Sequence, residues 1–113
     1  MQLGPKESSL VYAIVTSDIV PGRMEEFLDA CRWLKPQSLA EEGCLGYEYT
    51  AEVQSALGAQ EPVDVNRVTL IETWESLEAL ASHGTQPHTQ EFVRKVSEVR
   101  KRMVVRVTSP LPV

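Results

Sequence analysis

Residues 70–80 read LIETWESLEAL, and this stretch decides how the rest of the chain is interpreted. Its first half is rich in β-branched and aromatic residues, which is typical of a strand, and its second half has leucines at helical spacing. Ser76 stands between the halves and is a plausible N-cap. The sequence therefore predicts a half-buried strand that runs directly into an amphipathic helix. This junction gathers the chemically capable side chains Glu72, Trp74, His83 and His88.

The part of the chain that precedes this junction predicts a strand, a helix and a second strand. Residues 10–20 are rich in Val, Ile and Tyr and end at a Pro-Gly pair, which is typical of a strand closed by a turn. From Arg23 onward, apolar residues recur at intervals of three and four, which predicts a helix that Pro36 ends or kinks. Residues 37–42 can add a further helical turn before Gly43, which suits a left-handed helix stop, and residues 44–53 then predict the second strand.

The remaining segments complete an alternating order of strands and helices. Residues 54–65 follow neither period and predict a long connection to a strand at residues 66–74. A short helix over residues 76–84 is followed by another that Pro87 opens, and residues 103–108 predict the last strand. The apolar residues expected on one face of the last helix are Phe92, Val96, Val99 and Met103. This β-α-β-β-α-β order predicts an α+β, ferredoxin-like fold, with helices on one face of a four-stranded antiparallel sheet.

Length and composition limit the number of domains and the kinds of partner. The 113 residues suit one domain, and we expect a flexible leader at 1–9, the domain at 10–108 and a tail at 109–113. A net charge of −5 argues against nucleic acid, and no apolar run suits a membrane span. Cys31 and Cys44 lack metal-ligand spacing, which predicts reduced thiols, no metal and a cytoplasmic location.

The predicted strands carry apolar residues on both faces. On the first strand Val11 and Ala13 alternate with Tyr12 and Ile14, and the third and fourth strands show the same pattern. Helices cover only one face of a ferredoxin-like sheet, so the other face must be buried against something else. The simplest two-fold solution packs it on the same face of a second copy. The sequence therefore predicts a homodimer that forms through the sheet face.

Glu72 and Trp74 are two apart on a predicted strand, so their side chains point to the same face. Trp74 either packs in the core or presents its ring to a ligand as an aromatic wall or hydrogen-bond donor. Glu72 lies among apolar residues and is either paired with an arginine such as Arg106 or held in a cavity with a raised pKa, as a general base would be. Both alternatives stay open for each residue.

The two histidines are expected at opposite ends of neighbouring helices. His83 falls near a helix C-terminus, where the dipole favours the imidazolium, and His88 falls in a first turn, where it favours the neutral ring. His88 is therefore the better candidate for a base and His83 for a group that holds an anionic substrate, although each could be a surface or capping residue. Tyr47 and Tyr49 share a strand face, which sheet packing explains. Nucleotide, flavin and zinc-enzyme motifs are absent from the sequence.

Several short motifs stand in a fixed order along residues 10–108. They are VPGR (20–23) with EF (26–27), EGCLGY (42–47), ETWES (72–76) with AL (79–80) and His83, and PH (87–88) with Phe92. On these motifs the chain resembles the antibiotic biosynthesis monooxygenase family, which consists of small dimeric α/β-barrel proteins. The resemblance implies that two ferredoxin-like subunits form a dimeric α/β barrel.

What the resemblance implies about function is varied. The family includes oxygenases that act on aromatic polyketides or quinols without metal or flavin, haem-degrading relatives, and proteins without assigned activity. In the cofactor-free oxygenases the deprotonated substrate reduces oxygen itself. On that basis Trp74 and Tyr47 would wall a small aromatic substrate. The proton would be managed by His88, His83 or Glu72. The haem-degrading branch uses an asparagine on the first strand, and the first strand here has none.

The sequence thus predicts a cofactor-independent monooxygenase that oxidises a small phenolic, quinol or polyketide-like compound with molecular oxygen. One alternative is a non-catalytic dimer, stress-associated or otherwise, whose pocket binds a small molecule. Another is an isomerase or decarboxylase that uses the same base without oxygen. The connection at residues 53–65 is longer than the family pattern, so the shape of the pocket does not follow from the resemblance.

Overall fold

The computed structural model describes residues 9–113, and most of the predicted leader lies outside them. The elements are β1 (Val11–Ile19), α1 (Met24–Leu39), β2 (Cys44–Ala51), β3 (Arg67–Trp74), α2 (Leu77–Thr85), α3 (Pro87–Val96) and β4 (Arg100–Thr108). The strands form one antiparallel sheet in the order β2-β3-β1-β4. This confirms the predicted ferredoxin-like α+β fold. Within residues 9–113 no helix has both the length and the apolar character to cross a membrane.

The structure decides where the first helix ends, which the sequence left open. α1 does not end at Pro36 but continues to Leu39. Pro36 lies in the last turn of the helix, where its missing N–H removes a single hydrogen bond, and its carbonyl accepts from Ala40 N at 3.2 Å. Gly43 has φ of +85°, as its predicted left-handed role requires, but it follows the helix end by several residues and leads into β2.

The last helix is shorter than predicted, and the last strand is longer. α3 ends at Val96, and β4 begins at Arg100 rather than at Met103. Val99 lies between these elements and is buried. The apolar spacing from Phe92 to Met103 therefore spans a helix, a turn and a strand. It mimics a single helical face because core-facing residues of different elements happen to fall at similar intervals.

One face of the sheet packs against the helices and forms the core. The buried side chains on this face of β1 and β3 include Val11, Ala13, Val68, Leu70 and Trp74. The helices add Phe27, Leu34, Phe92 and Val96. Burial of each large apolar side chain contributes roughly 1.5–3 kcal/mol to the folded state. The core therefore fixes the ends of the helices relative to the strands, which positions the polar groups described below.

The other face of the sheet has no helix against it in the described part of the chain. Ile14 and Ile71 are direct cross-strand partners at its centre, and Thr16 pairs with Thr69 beside them. The prediction that this face is apolar is therefore correct only for its centre, because polar and charged residues surround the isoleucine pair. The apolar residues Met103, Val105 and Val107 of β4 lie on the helix-covered side, where they pair with β1 and stay about half exposed.

Candidate functional site

Six side chains meet near the end of β3, the end of α2 and the start of α3, and we call them the imidazole cluster. They are Glu41, Tyr47, Glu72, Trp74, His83 and His88. The five residues that the sequence singled out as site candidates are all in this group. The sixth member, Glu41, is not among the site candidates predicted from the sequence.

Local sequence signals place the histidines in the cluster. Trp74 is the last residue of β3, and the Ser76 hydroxyl accepts a hydrogen bond from Ala79 N at 3.1 Å, which starts α2 as predicted. His83 lies near the end of this helix and is only 6% exposed. Pro87 then opens α3 at its first position, so His88 lies in the first turn. Two short helices thus turn both imidazoles toward one point.

A tight contact brings Glu41 to the same point. The Gly43 carbonyl accepts a hydrogen bond from Glu75 N at 2.9 Å, and a Cβ atom on Gly43 would lie 2.7 Å from Ala79 Cβ. Glycine is therefore required here both for its positive φ and for the close approach to α2. The turn after α1 is held against α2 in this way, and Glu41 lies beside His83.

The Glu41 carboxylate bridges the two imidazoles. Its Oε2 atom lies 2.7 Å from His83 Nδ1 and 2.7 Å from His88 Nε2. A carboxylate accepts hydrogen bonds and cannot donate, so both ring nitrogens must carry protons. Thr89 Oγ1 lies 3.3 Å from the same Nδ1 atom. In its neutral form His83 is therefore protonated on Nδ1, and its Nε2 lone pair faces the interior.

On the interior side, His83 contacts aromatic and acidic groups. Its Nε2 atom lies 3.3 Å from the Tyr47 hydroxyl and 3.8 Å from Glu72 Oε1. Its ring stacks on Trp74 with centroids 4.8 Å apart and an interplanar angle of 34°. The imidazole is thus fixed by a carboxylate on one side and by a phenol and an indole on the other.

Glu72 lies in a buried site with a raised pKa, which is one of the two alternatives that the sequence left open. Burial raises the pKa of its carboxyl group, and the Trp74 N–H and the nearby His83 only partly offset this. Trp74 Nε1 donates to Glu72 Oε1 at 2.9 Å. The suggested pairing with Arg106 is wrong, because Arg106 is the cross-strand partner of Ile14 and therefore points to the opposite face of the sheet.

Tyr47 remains a neutral phenol in this environment. Burial, followed by the nearby Glu72, raises the pKa of its hydroxyl group. The hydroxyl can therefore donate to the His83 Nε2 lone pair, which gives a continuous chain from Tyr47 through His83 to Glu41. Such a chain can take up a proton at one end while the carboxylate stabilises the imidazolium that forms.

Three members of the cluster also have the atom types of a metal site. The ligand atoms of Glu41, His83 and His88 lie within 4.8 Å of one another. Two imidazoles and one carboxylate suit ions such as zinc or ferrous iron. The same three groups already satisfy one another by hydrogen bonds, as described above. These hydrogen bonds alone therefore account for the positions of the three side chains.

A cavity opens next to the cluster between α1 and β2, and we call it the α1–β2 pocket. Its volume is about 240 Å³, and its lining residues are Leu28, Cys31, Arg32, Lys35 and Tyr49. Tyr49 connects it to the imidazole cluster, because its ring meets that of Tyr47 edge-on with centroids 5.8 Å apart. A ligand in this pocket would thus lie one aromatic ring away from Tyr47.

Comparison with known proteins identifies the family to which the chain belongs. Residues 10–95 match the family model described as antibiotic biosynthesis monooxygenase. The chain therefore belongs to the antibiotic biosynthesis monooxygenase family. It is similar to an Escherichia coli K12 protein named "Probable quinol monooxygenase YgiN", with 29% identity over 83 residues, which is 74% of this chain and 79% of that protein. Family and relative together support a monooxygenase.

Solved structures match the fold over nearly the whole chain. One is a candidate antibiotic biosynthesis monooxygenase from Nitrosomonas europaea, which superposes with a TM-score of 0.80 at 17% identity and covers 96% of both chains. Another is Rv0793 from Mycobacterium tuberculosis, with a TM-score of 0.76, 25% identity, and coverage of 93% and 98%. The predicted family and fold are therefore confirmed.

Proposed function

We propose that this protein is a cofactor-independent monooxygenase that oxidises a small phenolic, quinol or polyketide-like substrate with molecular oxygen. The observation that carries the proposal is the geometry of His83, whose Nδ1 is held by Glu41 and whose Nε2 faces the Tyr47 hydroxyl. This is the arrangement of an oriented general base. The relative named as a quinol monooxygenase supports the same class of substrate.

The proton leaves the substrate along the chain of hydrogen bonds. A substrate that extends from the α1–β2 pocket past the Tyr49 ring passes its hydroxyl proton to the Tyr47 oxygen while Tyr47 passes its own to His83 Nε2. The Glu41 carboxylate stabilises the resulting imidazolium. The Trp74 ring and the surrounding core exclude water, so charge interactions in the site are strong.

The oxidation needs no reductant besides the substrate. The deprotonated substrate forms a C–O bond with O2 at a hydrogen-bearing carbon ortho or para to its hydroxyl, and loss of water from the hydroperoxide leaves a quinone. One oxygen atom enters the product and the other leaves in water. The substrate supplies all four electrons and the two protons of that water molecule. The protein only has to bind the substrate, accept a proton and exclude solvent.

The geometry favours His83 over His88 as the base, although the sequence favoured His88. His83 Nε2 contacts Tyr47, whereas His88 contacts Glu41, which lies on the other side of the His83 ring. His88 therefore acts as a positioning residue that helps to hold the carboxylate. Glu72, with its raised pKa, would stabilise the charged His83 ring once it takes up the proton.

Oxygen uptake with a panel of anthrones and naphthohydroquinones tests the proposal. We expect His83→Ala to lower kcat by about 100-fold or more and His88→Ala to lower it less, since general base catalysis contributes 10²–10⁴-fold. Gln90→Ala, an exposed change on α3, is the control. The proposal fails if wild type shows no more uptake than the double variant without both imidazoles. Substrate turnover that persists without oxygen would instead identify an isomerase or decarboxylase. A ligand that binds but is recovered unchanged would identify a binding protein.

We also propose that two copies pair through the helix-free face of the sheet. The apolar Ile14–Ile71 pair at its centre supports this, as does the need to bury an apolar patch on a sheet face. Sedimentation should give twice the chain mass of 12.6 kDa. Ile14→Lys should yield monomer, whereas Val93→Lys, on an exposed part of α3, should not. A monomeric wild type at micromolar concentration would contradict the pairing.

A further inference from the structure

Arg100 is a partly buried cation without a carboxylate partner in the described part of the chain. Its guanidinium donates to Ser17 Oγ at 3.4 Å and lies 5.7 Å from the centre of the Phe92 ring. None of the ion pairs among residues 9–113 includes it. Burial lowers the pKa of Arg100. A charge removed from water without a counter-charge is costly, so an anion near this group would be strongly favoured.

The titratable neighbours of Arg100 on the pocket side do not supply that anion. Cys31 and Tyr49 lie close enough to Arg100 to interact with it electrostatically. Burial raises the pKa of the Cys31 thiol to about 11, and burial also raises the pKa of the Tyr49 hydroxyl. Both groups are therefore neutral near pH 7. The positive charge of Arg100 thus extends unopposed toward two residues that line the α1–β2 pocket.

The Tyr49 hydroxyl is a second unsatisfied group in the same place. Its oxygen is fully buried and makes no hydrogen bond with any residue of the described chain. Buried polar atoms almost always have a partner in native proteins, so an unpaired one points to a missing water or ligand. Tyr49 lines the α1–β2 pocket, and because its hydroxyl has no accessible surface, a ligand reaches it from this pocket when neighbouring side chains shift.

The lining of the pocket adds further positive charge. Arg32 is already paired with Asp29, at 2.7 Å. Lys35 takes part in none of the ion pairs among residues 9–113. In a chain with a net charge of −5, a cavity lined by Arg32 and Lys35, and by no acidic residue among residues 9–113, is a local exception. It would select an anionic ligand over a neutral one.

We propose that the α1–β2 pocket binds the anionic group of an aromatic small molecule, with the Tyr49 hydroxyl as hydrogen-bond donor and with Arg100 and Lys35 as counter-charges. The proposal rests on the monooxygenase function for the statement that this molecule is the substrate. It then defines the substrate class as hydroxylated aromatic acids, or hydroxyquinones that ionise near neutral pH. A cavity of about 240 Å³ suits a compound of one or two rings.

Calorimetric titration of the full chain tests the proposal without turnover. The probes are 1-hydroxy-2-naphthoate and its neutral counterpart, 1-hydroxy-2-naphthamide, titrated under argon. Wild type should bind the acid at least 10-fold more tightly than the amide. Arg100→Gln should weaken the acid at least 10-fold and the amide less than twofold. Lys101→Gln removes the same charge from the neighbouring exposed residue of β4 and should leave both affinities unchanged within twofold.

Tyr49→Phe gives a second and milder variant that preserves the packing of the ring. It should weaken binding of the acid while its thermal unfolding shows an intact fold. Equal affinities of wild type for acid and amide, absence of binding for both, or an equal loss of both in Arg100→Gln would each overturn the proposal. Acid-selective binding together with no oxygen uptake would uphold the pocket and reject the monooxygenase function. Oxygen uptake with neutral quinols and no preference for the acid would do the reverse.

Discussion

The imidazole cluster and the α1–β2 pocket meet at the neighbouring rings of Tyr47 and Tyr49 on β2, yet the polar groups of the two regions differ in how fully they are paired. In the cluster, each titratable side chain has a hydrogen-bond partner within the chain. Beside it, among residues 9–113, the Tyr49 hydroxyl has no such partner and Arg100 has no carboxylate. The first region holds itself in one geometry. The second has unmet polar capacity, which is the expected property of a surface that receives a ligand.

This difference has an energetic meaning. A satisfied buried hydrogen bond contributes about 1 kcal/mol, whereas a buried group left without a partner costs about 1–3 kcal/mol. Substitutions in the cluster should therefore destabilise the protein, and matched substitutions beside the pocket should not. Substitutions in both regions test this contrast, and the largest effect is expected at Trp74.

Trp74→Ala should break the cluster outright. The side chain is 0% exposed, stacks on His83 and donates to Glu72. Its removal leaves a large cavity and an unpaired carboxylate, and we expect a loss of about 3–5 kcal/mol in the free energy of unfolding. Trp33→Ala is the control, since Trp33 is 39% exposed and packs under Lys95. It should cost less than about 1 kcal/mol. Similar midpoints for both variants in urea would contradict the contrast.

Glu41→Ala should have the next largest effect, because it leaves two imidazole donors without their shared acceptor. We expect a loss of about 1–3 kcal/mol in the free energy of unfolding. The ¹⁵N shifts of His83 should also change, since the carboxylate no longer fixes the proton on Nδ1. Glu42→Ala alters the adjacent, exposed carboxylate and should change neither quantity. If the two variants behave alike, the bridging role of Glu41 is wrong.

The same contrast explains how far the sequence could be interpreted. Glu72, Trp74, His83 and His88 lie within one short stretch, so a strand that runs into a helix is enough to bring them together. Glu41 lies 42 residues before His83, and its position depends on how the turn at Gly43 packs against α2. No local periodicity encodes that approach. The pairing of Glu72 with Arg106 was wrong for a related reason, because strand register decides which face each residue occupies.

Element order was predicted well because each strand and helix has its own apolar period. The boundaries that failed are those where packing outweighs local preference. Pro36 stays within α1 because it falls in the last turn, and Val99 imitates a helical position although it lies in a turn. Arg100 was not noticed, since a basic residue at a strand edge gives no sign that the fold will bury it next to Ser17, 83 residues away.

The pH dependence of stability should separate two carboxyl groups of opposite environment. Burial raises the pKa of Glu72, so the folded chain binds more protons than the unfolded chain just above the ordinary value. Stability from this group is then lost as pH rises above the ordinary carboxyl pKa, and Glu72→Gln should gain on wild type over the same rise. The Arg67 hydrogen bond lowers the pKa of Asp18, so Asp18→Asn should lose relative to wild type as pH rises. Urea unfolding at several pH values checks both slopes, and slopes of the same sign would refute the assignment.

Tyr47→Phe and Tyr49→Phe form the smallest and sharpest comparison, since both remove one buried oxygen from neighbouring rings of β2. Tyr47 loses its bond to His83, which should cost about 1 kcal/mol. Tyr49 loses a hydroxyl that has no partner in the described chain, so its removal should be neutral or should stabilise the ligand-free protein by up to about 1 kcal/mol. Thermal unfolding measures both, and addition of 1-hydroxy-2-naphthoate should stabilise wild type more than Tyr49→Phe. A Tyr49→Phe variant that is less stable than Tyr47→Phe without ligand would mean that the Tyr49 hydroxyl already has a partner, and the pocket would lose its hydrogen-bond donor.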